Sequence, residues 1–276
     1  ESGDLWVSGN RTTSIVVDGD SAFVADEFLG FRIIDISTPT SPSALGRIHT
    51  PGHADTVDVA GDYAYLGVVG QGLRIVDVSA PATPEDVGFF RSYGAANDVA
   101  VAGSFAYLAD GQWGLRVINV SNPAAPVEVG NLPVTGDYAN GVAVSGDYAY
   151  VAKSSAGLWV VDISNPATPF EITHVDTPGF ATKVALANDL AFVADDDGGL
   201  RLIDISDPAS SVEVGSCTTF DRASAIAVEG DTAYVGNFND GLRVVDVSDP
   251  ANPLEIADVG NWAVGVAVQE TLAYVG

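Results

Sequence analysis

The stretch GLRVVDVSDPANP, Gly241 to Pro253, sets one carboxylate, Asp246, in a run of valines and follows it with a proline-rich turn. An ionised group among apolar side chains is costly unless it is hydrogen-bonded or paired. Asp246 is therefore either an active-site acid or a device of folding. The stretch has counterparts: Gly30-Phe31-Arg32, Gly72-Leu73-Arg74, Gly114-Leu115-Arg116, Gly157-Leu158-Trp159 and Gly199-Leu200-Arg201 head equivalent segments at spacings of 42 or 43 residues. A fixed period of that length marks stacked supersecondary units. The acid recurs as Asp35, Asp77, Asp162 and Asp204, with Asn119 in the third copy. One active site needs one acid, and Asn accepts hydrogen bonds without serving as a general acid or base. The repeated residue is expected to accept hydrogen bonds from backbone amides of the Ser-x-Pro turn that follows, or from an adjacent unit. Arginines such as Arg74 and Arg243 are candidate partners between units.

A second marker lies between these segments. It reads VDVAGDYAYL from Val57, VAVSGDYAYV from Val142 and IAVEGDTAYV from Ile226, and it occurs seven times. Two short β-branched or aromatic runs flanking a tight Gly-Asp turn are a hairpin signal. Adding the GLRVVDV run and the PVEVG-type run after the prolines gives four strands per unit. The prolines fall in the third-to-fourth connection, where a missing amide hydrogen does little harm. No stretch sustains a 3.6-residue apolar period, so helix should be nearly absent. Four-stranded units of about 40 to 50 residues predict an all-β fold, a β-propeller of four-stranded antiparallel blades. Residues 1–276 are read as one propeller domain. Leu5-Trp6-Val7 stands where a fourth strand belongs, and the sequence stops after a seventh second strand at Tyr274-Val275-Gly276. The expectation is a seven-bladed ring with its last blade incomplete, truncated at the C-terminus, in a piece of a longer chain.

The segments LRVVDVS at Leu242 to Ser248 and LRIVDVS at Leu73 to Ser79, with SDPANP, SNPAAP and the GDYAYV hairpins, resemble the LVIVD repeat. The resemblance covers nearly the whole chain. Departures are Asn119 for the acid, Trp159 for the arginine, and Asn188 and Glu270 for the hairpin glycine. It implies a secreted or cell-surface protein of bacterial or archaeal type, often with further domains in the parent chain. It implies no enzymatic activity and no catalytic residues.

Composition narrows the partners. The net charge is −26, from 28 Asp and 9 Glu against 9 Arg and 2 Lys. Such a field repels nucleic-acid phosphates and anionic membrane surfaces, so neither is an expected partner. No apolar run approaches the roughly 18 residues of a membrane helix, and direct membrane insertion is not expected. The single cysteine, Cys217, excludes a disulfide framework and is read as an apolar side chain. The protein is expected to act as a monomer outside the cell or in its envelope.

Function is sought where the repeats differ. At the connection into each unit the equivalent residues are Arg11, His53, Ala95, Tyr138, Phe180, Arg222 and Trp262. The second-to-third turns add Asp26, Asp110, Lys153, Asp195 and Asn237 at one matching position. In a propeller these loops share one face around the channel mouth. An aromatic and basic set there suits stacking on a sugar or gripping a peptide. Alternatively, each aromatic plugs its own loop into the core. Asp195, Asp196 and Asp197, followed by Gly198, form a candidate calcium turn, although the alternating spacing of a calcium loop is absent. No other cofactor is implied. The leading reading is a non-enzymatic binding or scaffold propeller that engages a protein or polysaccharide. One alternative is a hydrolase or lyase using His53, Tyr138, Arg222 and Asp195, which requires His53 within about 8 Å of a carboxylate or tyrosine hydroxyl. Another is a purely structural spacer.

Overall fold

In the computed structural model, residues 11–218, 222–260 and 263–276 are described. They form six four-stranded antiparallel sheets and one two-stranded sheet, Val266–Gln269 with Leu272–Val275. The only helical turn among them is a 3-10 turn at Pro208–Ser210. The fold is an all-β propeller of four-stranded blades, as the repeat predicts. The second blade shows the plan: Ala54–Ala60, Tyr63–Val68, Gly72–Asp77 and Glu85–Arg91 pair in chain order as a meander. A meander places first-to-second hairpins and third-to-fourth turns at one end of the blade, here the hairpin end. Second-to-third turns and the connections into the next blade lie at the other, the connection end.

The apolar runs are buried between blades rather than in one central core. Phe31 and Ile33 of the first blade pack with Val57, Leu66 and Val76 of the second, and Tyr150 and Val160 of the fourth with Val184 and Val193 of the fifth. Both faces of a middle strand are thus covered, which explains its unbroken apolar run. Each hairpin turn begins with a left-handed residue: Gly61 has φ 58° and Gly146 φ 56°, and Asn188 (φ 48°) and Glu270 (φ 55°) hold the same conformation without glycine's freedom.

One feature the repeat analysis missed locks blade to blade. In every four-stranded blade the pairing register shifts midway along the third strand, as at Ile75/Val76, so a bulge sits in the fourth strand. Gly46, Gly88, Gly130 and Gly215 lie at that bulge. A Cβ on any of them would collide with the carbonyl oxygen of Pro81, Pro123, Pro166 or Pro250, each in the next blade's Ser-x-Pro turn. The glycine and the proline turn are two halves of one contact.

Asp246 is the last residue of its strand and partly exposed, not embedded among the valines. Its Oδ1 accepts the Ser248 amide at 2.9 Å, and Asp35, Asp77, Asn119, Asp162 and Asp204 repeat the bond at 2.9 Å. The turn-forming role expected from the sequence holds in all six copies. The arginine pairs described for the third strands lie within a blade. Arg32, Arg116 and Arg201 bind Asp26, Asp110 and Asp195 of their own blades, and Arg74 and Arg243 bind Asp86 and Glu255 of theirs. The reason is register: Arg32, Arg116 and Arg201 stand opposite Val24, Leu108 and Val193 of the second strand, and the acid two residues further on shares their face.

The first strands stand innermost, side by side around a channel, with Val266–Gln269 lying beside the first strands of both the first and sixth blades. The channel holds a cavity of about 340 Å³ lined mainly by Val, Ile and Ala, with Asp58, Asp98 and Lys183 as its charges. An innermost strand has one edge without a sheet partner, and unpaired edge amides need other acceptors. Side chains of the preceding blade supply them: Asp58 Oδ2 accepts Val101 N at 2.7 Å and Asp98 Oδ2 accepts Val142 N at 3.0 Å. Asp98 also takes Lys183 Nζ at 2.8 Å, two blades away, and the intervening Gly141 has no side chain to obstruct that reach.

Candidate functional site at the connection end

The connections into successive blades are stitched by backbone and side chain. Gly111 pairs with Ala139, Ser154 with Ala181 and Asp196 with Ala223, so each second-to-third turn runs against the next blade's incoming connection. Thr13 Oγ1 donates to the Ala54 carbonyl at 2.8 Å, Asn97 Nδ2 to Ala139 at 3.0 Å, Asn140 Nδ2 to Ala181 at 3.0 Å and Thr182 Oγ1 to Ala223 at 3.1 Å. Sequence reasoning passed over these donors, although they recur at the repeat period.

The matching acids of the second-to-third turns prove to be structural. Asp26, Asp110 and Asp195 are fully buried. Asp110 accepts Ser92 Oγ at 2.8 Å and Arg116 Nε at 2.6 Å. Asp195 accepts Thr177 Oγ1 at 2.5 Å and the Gly179 amide at 2.9 Å, with Arg201 Nε 3.5 Å away. Burial pushes the Asp195 carboxyl above its ordinary value against those bonds. The signal was present in the sequence, since the acid precedes an arginine by six residues three times. The fourth blade alters both members together: Lys153 replaces the acid, Trp159 replaces the arginine, and the Lys153 ammonium sits 3.8 Å from the indole centroid. A salt bridge there has become a cation–π pair.

The calcium candidates are drawn apart. Asp195 faces Thr177 and Arg201. Asp196 binds Arg222 through two bonds, 2.6 and 3.2 Å, and Asp197 is exposed. Among the described residues no group of three His, Cys, Asp or Glu side chains is placed to hold a metal ion. Cys217 is partly buried, and burial, then the Glu255 charge, raise its thiol's pKa, which leaves it a poor nucleophile at neutral pH.

The variable connection residues do share the connection end. Arg11 lies 4.0 Å from Glu27 and over the Phe238 ring at 5.1 Å. His53 Nδ1 lies 3.5 Å from Glu27 Oε1, with its ring edge-on to Phe28 at 5.4 Å. Asp55, whose carboxyl is pushed up chiefly by burial, feels the Lys183, His53 and Arg11 charges. Tyr138 and Phe180 are each 54% exposed, so neither plugs into the core beneath its loop. Trp262 lies outside the described residues. The exposed rings Phe28, Tyr93 and Trp113 belong to the same end and were not singled out by the sequence reading. Their loops differ from unit to unit, so no repeat position marks them.

Solved structures share the fold at low identity. RRP9 WD40 repeats match with TM-score 0.79 and 15% identity over 95% of this chain and 85% of theirs. The Cps50 (Swd1) β-propeller domain of Myceliophteria thermophila gives 0.78 and 12%, over 94% and 90%. The computationally designed Ika8 protein gives 0.71 and 12%, over 95% and 79%. No curated protein matches. A model of the LVIVD repeat matches six times, at residues 1–50, 51–91, 93–134, 136–177, 178–219 and 222–261. The repeat that builds every blade thus fixes the relationship: the chain belongs to the LVIVD-repeat family.

Proposed function

We propose that the chain is a non-enzymatic binding and scaffold propeller of a secreted or cell-surface protein, engaging a protein or polysaccharide at its connection end. One observation carries this reading. The recurring polar residues are consumed in holding the blades, while five of the seven exposed aromatic rings among the described residues, Phe28, Tyr93, Trp113, Tyr138 and Phe180, lie at that one end, Phe89 and Phe170 being on fourth strands. Exposed aromatic rings on one face offer surfaces on which a sugar or a peptide side chain can stack. An extracellular setting is supported by the Asp-rich composition and the scarcity of Lys. The test is a screen of the purified propeller against glycan and peptide arrays, with Arg222→Ala and Trp262→Ala as variants. Binding that neither change affects removes Arg222 and Trp262 from the site.

In this reading the two-stranded sheet is the inner half of a seventh blade. Its support is the position of Val266–Gln269 between the inner strands of the sixth and first blades. Leu5-Trp6-Val7, outside the described residues, would supply the outer strand. Removing residues 1–10 should then lower the thermal midpoint, and an unchanged midpoint refutes that assignment.

A second reading, a hydrolase or lyase, has one observation in its favour: Glu27 Oε1 lies 3.5 Å from His53 Nδ1, a carboxylate beside a candidate base. Turnover of a glycan or ester library that His53→Ala abolishes would establish it.

A further inference from the structure

The exposed rings of the connection end fall on consecutive blades. Tyr93 lies in the connection into the third blade, Trp113 in that blade's second-to-third turn, and Tyr138 and Phe180 in the connections into the fourth and fifth. They are 73%, 44%, 54% and 54% exposed. Backbone pairing sets their loops side by side. Gly111 exchanges bonds of 3.1 and 3.0 Å with Ala139, which brings the turn of Trp113 against the connection of Tyr138. The Ala181 amide donates to the Ser154 carbonyl at 2.9 Å, which seats the Phe180 loop on the fourth blade's turn. The result is a crescent of rings over the third to fifth blades.

Two of the rings are held in place before any ligand arrives. The Arg116 guanidinium lies 5.7 Å from the Trp113 ring centroid and Arg91 5.5 Å from that of Tyr93. Fixing an aromatic in advance removes part of the ordering cost of binding. The cations beside the crescent are already engaged, by acids or by rings: Arg116 with Asp110 and Glu128, Arg222 with Asp196, Lys153 with Trp159 and Arg91 with Tyr93. An anionic ligand would have to displace these pairs within a molecule of net charge −26. Hydroxyl chemistry is present instead. Ser155 Oγ donates to Asp137 Oδ2 at 3.0 Å beside Tyr138, an exposed donor and acceptor pair of the kind a sugar hydroxyl can join. A folded protein partner calls for a continuous apolar centre, whereas here polar loop backbone separates the rings.

We propose that this crescent binds a neutral polysaccharide lying across the third to fifth blades. Sugar rings stack on Trp113, Tyr138 and Phe180, and hydroxyls bond to Asp137 and Ser155. The proposal rests on the binding reading above and narrows it to a ligand class.

Affinity electrophoresis of the chain through gels containing neutral β-glucan, galactomannan or xyloglucan, with alginate as the acidic control, tests it. Retardation by at least one neutral polymer is expected, unchanged between about 50 and about 500 mM NaCl because no ion pair is involved. Trp113→Ala and Tyr138→Ala should each weaken it roughly tenfold. Asp207→Asn, at the hairpin end, should leave it unchanged. Thermal midpoints of the variants report folding independently. No retardation by any neutral polymer, or retardation that survives Trp113→Ala, Tyr138→Ala and Phe180→Ala combined, overturns the proposal. A peptide-display arm separates the two failures. Peptide capture lost in the combined variant, without polysaccharide retention, keeps the connection end as a binding face and refutes the ligand class. Capture in neither arm refutes both.

Discussion

At the end of each third strand a carboxylate or amide oxygen closes the turn that follows, and Asn119 shows that charge is dispensable there. That one departure from the repeat made the role legible in the sequence. Asp246→Asn should therefore leave the thermal midpoint near that of the parent chain, whereas Asp246→Ala should lower it, read by calorimetry. The Ser79 and Ser248 hydroxyls, then their amides, hold the carboxyls of Asp77 and Asp246 below the ordinary 3.8. Their stabilising contribution is present above that value and is lost as pH falls through the lowered one. Asp58 behaves oppositely, and no repeat position announced it, because its surroundings come from the neighbouring blade. Burial pushes its carboxyl up to about 6, opposed by the Val101 and Val59 amides and aided by the Asp98 charge. A raised acid stabilises the fold below 3.8 and ceases to do so as pH rises through 6. The contribution is on the order of 2 to 3 kcal/mol. Between pH 4 and 6.5 the stability of Asp58→Asn should rise relative to the parent chain and then level off. A constant difference across that range would show that Asp58 does not titrate there.

The strand was the most legible element, and the joint between strands the least. Strand positions, hairpin turns and the proline connections follow from alternation and turn chemistry within one unit, which is why the period exposes them. The bulge glycines meet their partners about 35 residues ahead, as Gly88 meets Pro123, and nothing local distinguishes them from flexible glycines. The same distance effect misled the reading of the turn acids. Asp110 and Asp195 find Ser92 and Thr177 in the incoming connection, and that contact buries what appeared to be a surface set. Two alanine substitutions separate the kinds of glycine. Gly61 is left-handed with open space around it, so Gly61→Ala should cost about 1 kcal/mol of backbone strain. Gly88→Ala drives a methyl into the Pro123 carbonyl and should cost about 3 kcal/mol or more by parting two blades. Urea denaturation of both variants checks the order. Equal losses would mean that the fourth strand shifts freely and the interlock is not rigid.

Across the whole molecule, charge is divided between the two ends. The hairpins carry Asp18, Asp20, Asp62, Asp147, Asp189, Glu229, Asp231 and Glu270. The third-to-fourth turns carry Asp35, Asp77, Asp162, Asp204, Asp207, Asp246 and Asp249, and neither set of turns includes a Lys, Arg or His. Among the described residues the cations of the ion pairs instead lie in the connections or on the strands, as with Arg32, Arg116 and Lys183. An unbalanced sheet of carboxylates raises the free energy of the compact state through self-repulsion, and it directs any anionic surface away from that end. Exposed charges of this kind are screened over about 8 Å at physiological ionic strength. Raising NaCl from about 20 to about 500 mM should therefore raise the thermal midpoint, although the surface ion pairs of the connection end weaken over the same range. The two effects can be told apart. Asp207→Asn combined with Asp249→Asn removes two hairpin-end charges and should raise the midpoint at low salt while adding nothing at high salt. Asp137→Asn, at the connection end, should give a smaller change at low salt. A midpoint that falls steadily with salt in the parent chain would mean that the ion pairs dominate and the divided charge carries no stability cost.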